Sequence, residues 1–180
     1  DSDLASDDNE DKTWSGNQVA PLDLIMKAAE IDKVVGMQLA LIHQFGLTVM
    51  EAILIVPSQA DRTVYLAVED GAPQGRMRMV AIRTIEQRQV LDKAKHLASK
   101  IYAHGRLTKP RATPTQSKNH LYYVLGKRLG ITKALSGVTL DGLRRDFKIN
   151  VRTLEEKTAN SGSLSDNHSE KLCADRDVDN

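Results

Sequence analysis

The sequence predicts an α+β domain, mostly helical with a small inserted β-hairpin. Three observations predict it. Apolar residues recur at helical spacing through most of residues 21–158. Two short β-prone runs, Thr63–Glu69 and Arg76–Ile82, flank one turn-forming segment. The strands are local and do not alternate with helices in the βαβ order of a parallel sheet. The length, 180 residues with 41% hydrophobic and 27% charged, suits a single domain.

In chain order, residues 1–12 are acidic and lack periodic apolar positions, so they read as a disordered or loosely attached tail. Pro21 can open a helix that carries Leu22, Ile25, Met26, Ala29 and Ile31 on one face. A second apolar helix is expected from about Asp32 to Phe45, stopped by Gly46, and a third from Val49 to Ile55, ended by Pro57. The uncharged run Val34–Met50 is interrupted by Gln38, His43, Gln44, Gly46 and Thr48, which suits buried helices rather than a membrane span. After the hairpin, Thr84 and Gln87 have capping-box spacing. They open a long helix with Ile85, Val90, Leu91, Ala94, Leu97, Ala98 and Ile101 on one face, closed by Gly105. Arg106–Thr115, with Pro110 and Pro114, reads as a loop. Leu121, Val124, Leu125 and Leu129 suit a helix ending near Gly130, and a last helix after Thr139 takes Leu140, Leu143, Phe147 and Val151. The domain is therefore bounded at 13–158, with a second polar, acidic tail at 159–180.

The net charge of +1 conceals a strong segregation. Residues 1–12 sum to −5 and residues 161–180 to −3, whereas residues 13–160 sum to +9. From Arg76 to Lys157 there are 19 Lys and Arg against six acids. Such a field suits a polyanion, because phosphates neutralised by basic side chains release condensed counterions. The basic residues expected to contact phosphate are Arg76, Arg78, Arg106, Lys109, Arg111, Lys118, Arg144 and Arg145. One cysteine, Cys173, excludes an intrachain disulfide framework and a multi-cysteine zinc site, and fits a reducing, cytoplasmic setting. The five histidines show no close ligand spacing, so no metal and no cofactor is implied. The N-terminus has no signal-peptide pattern and opens on Asp rather than Met, as a piece of something longer would.

Several stretches then occur in a recognisable order. They are Phe45-Gly46-Leu47 followed by Glu51-Ala52, Gly75-Arg76-Met77-Arg78 followed by Ile82-Arg83-Thr84, and Gln87-Arg88 followed by Leu91-Asp92-Lys93-Ala94-Lys95. Last come Gly130-Ile131-Thr132-Lys133 and Gly142-Leu143-Arg144. In this order and at these intervals the chain resembles the catalytic domain of tyrosine recombinases, the integrases of phages and other mobile elements. The resemblance covers about Lys12 to Thr158 and implies a mostly helical recombinase-like domain, a bacterial cytoplasmic setting, double-stranded DNA as partner, other recombinase protomers as further partners, and no membrane.

The resemblance also implies a site, and this chain departs from it. In the family a tyrosine attacks a DNA phosphodiester, two arginines and a histidine stabilise the pentavalent phosphorus, and a hairpin lysine protonates the leaving oxygen. Here the first arginine falls at Thr48, and the supporting acid is kept as Glu51. The hairpin lysine falls at Pro73 or Gln74. The histidine of the His-x-x-Arg box falls at Asp141, its arginine is kept as Arg144, and the further histidine is Arg145. No tyrosine follows Tyr123, and Tyr122 and Tyr123 lie in an apolar helical stretch that reads as core. The expected function is thus a DNA-binding, integrase-like domain associated with recombination but without strand cleavage. Two alternatives remain open: an active recombinase whose C-terminal tyrosine segment lies elsewhere, and a protein-interaction domain whose acidic ends mask a basic face.

Overall fold

Pro21 begins the first helix, α1 (Pro21–Ile31), at a position whose missing N–H has no helical partner to lose. The architecture is taken from a computed structural model. It describes residues 20–71, 76–131 and 140–174, with the side chains of Asp141 and of residues 161–174 left out. The division of contacts makes one compact unit of the chain through Phe147 and another from Lys148 onward.

Helix α2 (Lys33–Phe45) is the hub of the first unit. Asp32 caps it, accepting hydrogen bonds from the amides of Val34 at 2.9 Å and Val35 at 3.4 Å. Val35, Leu39, Leu41, Ile42 and Phe45 are buried on it, and α1, the short α3 (Val49–Leu54) and α5 (Ile85–Lys100) pack against it. At Gly36 an added Cβ would lie 2.5 Å from the Cβ of Ala29, so the close approach of α1 requires glycine there. The expected stop at Gly46 is present: its φ is +64°, the left-handed turn that closes many helices. The uncharged run Val34–Met50 thus divides between two helices, and among the described residues no helix is long and apolar enough to cross a membrane.

Thr48 and Glu51 form a reciprocal capping box on α3. Pro57 does more than end that helix, since it opens a further single turn, α4 (Pro57–Ala60). Strands β1 (Tyr65–Val68) and β2 (Arg78–Ala81) pair antiparallel, with Tyr65 opposite Ala81 and Val68 opposite Arg78. The expected hairpin is thus present with shorter strands; its turn residues 72–75, including Pro73 and Gln74, lie outside the described residues. The sheet contributes Leu66, Val68 and Val80 to the core.

Helix α5 (Ile85–Lys100) has the Thr84–Gln87 capping box that its sequence spacing predicts. Leu91, Ala94 and Ala98 face the core, but Ile85, expected on that face, is 73% exposed because it sits at the first helical position beyond the packed stripe. The helix ends at Lys100, earlier than Gly105, because Ile101 takes an extended conformation and the chain turns through Tyr102–Gly105. The following loop also ends earlier than expected. Thr113 caps α6 (Pro114–Tyr123) in a third capping box, with Pro114 at the helix start, where proline is welcome. A π-helical turn, Val124–Arg128, continues α6 and buries Val124 and Leu125.

Helix α7 (Leu140–Ala174) begins where the sequence places it and buries Leu140 and Leu143 in the core of the first unit. Its backbone stays helical past Thr158 and through the Ser- and Asn-containing residues that follow. In the second unit Thr153 and Thr158 return their hydroxyls to the carbonyls of Ile149 and Leu154, both at 3.0 Å.

Gly46 is closely packed against Phe147. A Cβ there would lie 2.3 Å from Cδ1 of Phe147, in addition to the left-handed strain. Gly46→Ala is therefore expected to lower unfolding free energy by about 2 kcal/mol or more. Urea denaturation of the variant checks this, and a midpoint equal to wild type would contradict the packing described.

Candidate nucleic-acid interface

The end of α2, strand β2 and the start of α7 meet at the carbonyl of Gly46, and the start of α3 joins them through Glu51. Its oxygen accepts from Nη2 of Arg78 at 3.0 Å and from Nε of Arg144 at 3.1 Å, a residue 98 positions away in sequence. Arg78 reaches this point because β2 holds it opposite Val68. The same guanidinium forks onto Glu51, with Nε 3.0 Å from Oε2 and Nη2 2.6 Å from Oε1. Oε1 also accepts from the Thr48 amide at 2.7 Å, while Thr48 Oγ1 accepts from the Glu51 amide at 3.1 Å.

Glu51 has no exposed surface. Burial pushes its carboxyl pKa up, but the hydrogen bonds from Arg78 and Thr48 outweigh this and hold it below the ordinary glutamate value. Such a bidentate, charge-assisted pair is among the stronger polar contacts a protein makes. Thr48, Glu51, Arg78 and Arg144 are thus gathered in one cluster. The Thr48 hydroxyl is engaged in capping. Asp141 lies one turn before Arg145 on α7, its side chain outside the described residues, and Arg145 itself is exposed.

The other predicted cations lie elsewhere. Arg76 is exposed just ahead of β2. Lys109, Arg111 and Lys118 are exposed on the loop before α6 and on α6 itself, Arg111 with φ of +65°. Arg106 is only half-exposed, and its Nε is buried with no hydrogen-bond partner among the described residues. This loop is anchored by Gln38, whose Nε2 donates to the Leu107 carbonyl at 2.7 Å.

Sequence reading missed two polar clusters. In one, His120 Nε2 lies 2.8 Å from Oδ2 of Asp32, with Lys109 Nζ at 3.9 Å from the same oxygen. Burial raises the Asp32 pKa, but the His120 contact and the two capping amides prevail and lower it. These groups border a cavity of about 240 Å³ that Gln38 and Ser117 also line. In the other cluster, Arg88 forks onto Asp61, where Lys95 joins at 2.8 Å and Arg88 also reaches Asp92 at 2.9 Å. Arg88 and then Lys95 hold the Asp61 carboxyl well below its ordinary range, with burial opposing. The i, i+4 spacing of Arg88 and Asp92 was a local signal; the approach of Asp61, 27 residues away, had none.

Tyr122 and Tyr123 are corrected from core to surface: they are 46% and 53% exposed, because the buried face of α6 passes through Ser117 and Leu121 instead. Tyr123 stacks on the His120 ring with centroids 6.4 Å apart. Among the described residues no three His, Cys, Asp or Glu side chains are grouped to share a metal ion. In comparison with known proteins, no family model, no curated protein and no solved structure matches the chain.

Breaking a buried ion pair from one side leaves an uncompensated charge, so Arg78→Met should cost about 3 kcal/mol at neutral pH. The favourable pairing of Glu51 is complete above the ordinary glutamate pKa and is lost as pH falls through its depressed folded value. The deficit of Arg78→Met should therefore shrink as acid protonates Glu51. Urea unfolding at neutral pH and near pH 4 measures it; a deficit independent of pH would contradict the role given to Glu51.

Proposed function

We propose that this chain is a DNA-binding domain of the tyrosine-recombinase type, associated with DNA integration or recombination, that holds the phosphate backbone without cleaving it. The observation that carries the reading is the cluster at the end of α2 that draws on α3, β2 and α7: Arg78 and Arg144 both donate to the Gly46 carbonyl, and Arg78 also holds Glu51, which accepts from the Thr48 amide. Glu51, Arg78 and Arg144 each fall in a stretch that carries the likeness to recombinases, and their contact supports the reading. The basic surplus between Arg76 and Lys157 supports a polyanionic partner.

Cleavage is not part of the proposal, on chemical grounds. The arginine position occupied by Thr48 offers a hydroxyl already engaged with the Glu51 amide, and it supplies no charge. No tyrosine of this chain follows Arg144 to act as nucleophile. Arg78 is held by Glu51 and Gly46, so it organises the interior, and Arg144 is oriented through its Nε. The exposed cations Arg76, Lys109, Arg111, Lys118 and Arg145 are the groups best able to reach phosphate without disturbing the fold. Such contacts set register and orientation on a duplex and carry no base information themselves.

Arg145→Ala is expected to weaken duplex binding by a similar factor on unrelated sequences and to reduce the salt slope of log K by about 1. Its stability should stay within about 0.5 kcal/mol of wild type, since the side chain is exposed. Fluorescence anisotropy with labelled duplexes reads the first effect. Incubation with nicked duplex followed by denaturing electrophoresis should give no covalent protein–DNA band; such a band would overturn the non-cleaving reading.

A further inference from the structure

Helices α1, α2 and α5 leave between them a groove of about 580 Å³. Its apolar lining includes Leu22, Met26, Met37 and Leu97, and Leu22 and Met26, which keep the helical spacing of α1's apolar positions, are 60% and 65% exposed. Large apolar side chains left open together mark a surface that another group covers. Gly36 and Ala29 both line the groove, and α1 approaches α2 there more closely than a side chain at Gly36 would allow.

The border of the groove has one sign of charge. Lys33, Lys93 and Lys100 are exposed on it, His43 and His96 lie beside them, and among the described residues none that lines it is acidic, Asp146 standing behind His43 in the interior. The buried Nδ1 of His43 has no hydrogen-bond partner among the described residues. An occupant should therefore combine acidic residues with a large apolar group that carries a polar edge.

The chain carries such a segment next to the groove. Residues 1–12 hold six acids and one base, and Trp14, the only tryptophan, follows them. Residues 1–19 lie outside the described residues, but Ala20 and Pro21 lead directly to Leu22 on the groove. Trp14 is seven residues before Pro21, a reach of up to about 24 Å for extended chain. The 13 residues of α2 span about 20 Å, so every part of the groove is within that reach. A short tether gives an effective concentration in the millimolar range, and even a weak intrinsic affinity then suffices.

We propose that residues 1–19 fold back onto this groove, with the Trp14 indole on the apolar floor and the acidic run Asp7–Asp11 against Lys33, Lys93 and Lys100. The occupant is this chain's own N-terminal segment, since it alone joins the acidic run to an aromatic ring and a tether of suitable length. The acidic segment at 161–180 has no aromatic residue to fill the groove.

Because Trp14 is the only tryptophan, its fluorescence reports this one contact in the full chain. Its emission should be blue-shifted, and protected from acrylamide quenching, relative to a peptide of residues 1–19. The double variant Lys93→Glu, Lys100→Glu should move both readings toward those of the peptide, with an unchanged circular dichroism spectrum, since both lysines are exposed. Emission identical to the peptide would overturn the proposal. So would a blue shift that ignores the charge reversal, which would place the indole elsewhere. A blue shift that disappears on dilution would assign the groove to a second copy and overturn docking within one chain.

Discussion

The carboxylate of Glu51 lies wholly inside the first unit, and the arrangement around it follows from the need to keep that charge compensated. Compensation comes from the Thr48 amide and the Arg78 guanidinium. Arg78 arrives only if β2 pairs with β1 in the observed register, since a one-residue slip would turn its side chain to the opposite face. The spare donor of Arg78, together with Arg144, meets the carbonyl that the left-handed turn at Gly46 exposes. One buried charge thus couples the end of α2, the start of α3, the hairpin and the start of α7.

Sequence signals hold in this fold where the chemistry behind them is local. The Thr84–Gln87 capping box, the stop at Gly46 and the proline start of α1 depend on groups within a turn of one another, and all are present. Pro114 was read as a loop residue because proline breaks helices in general; its position after Thr113 makes it the helix start instead. The outward turn of Leu22, Met26, Tyr122 and Tyr123 was not legible, because helical spacing selects a face but not whether another element covers it. Pairings such as Asp61 with Arg88, or Asp32 with His120, join residues 27 and 88 positions apart and leave no trace in spacing.

The site was legible in part for the same reason. The ordered stretches around Gly46, Arg78 and Arg144 suggested a shared location, and these residues do touch. That Arg78 and the Thr48 hydroxyl are occupied within the fold emerges only from geometry. The cluster holds elements together, and the exposed cations beyond it are the part suited to a polyanion. The proposed binding without cleavage is chemically consistent, since backbone binding needs charge at a surface while cleavage needs a nucleophile and a complete set of donors.

Binding of the full chain to a labelled duplex, measured by anisotropy across a range of salt concentrations, tests the proposed DNA contact most directly. If the exposed cations neutralise phosphates, log K falls linearly with log salt, with a slope of about −0.9 for each phosphate contacted. Absence of binding at low salt, or an affinity that does not change with salt, would contradict a phosphate-holding domain.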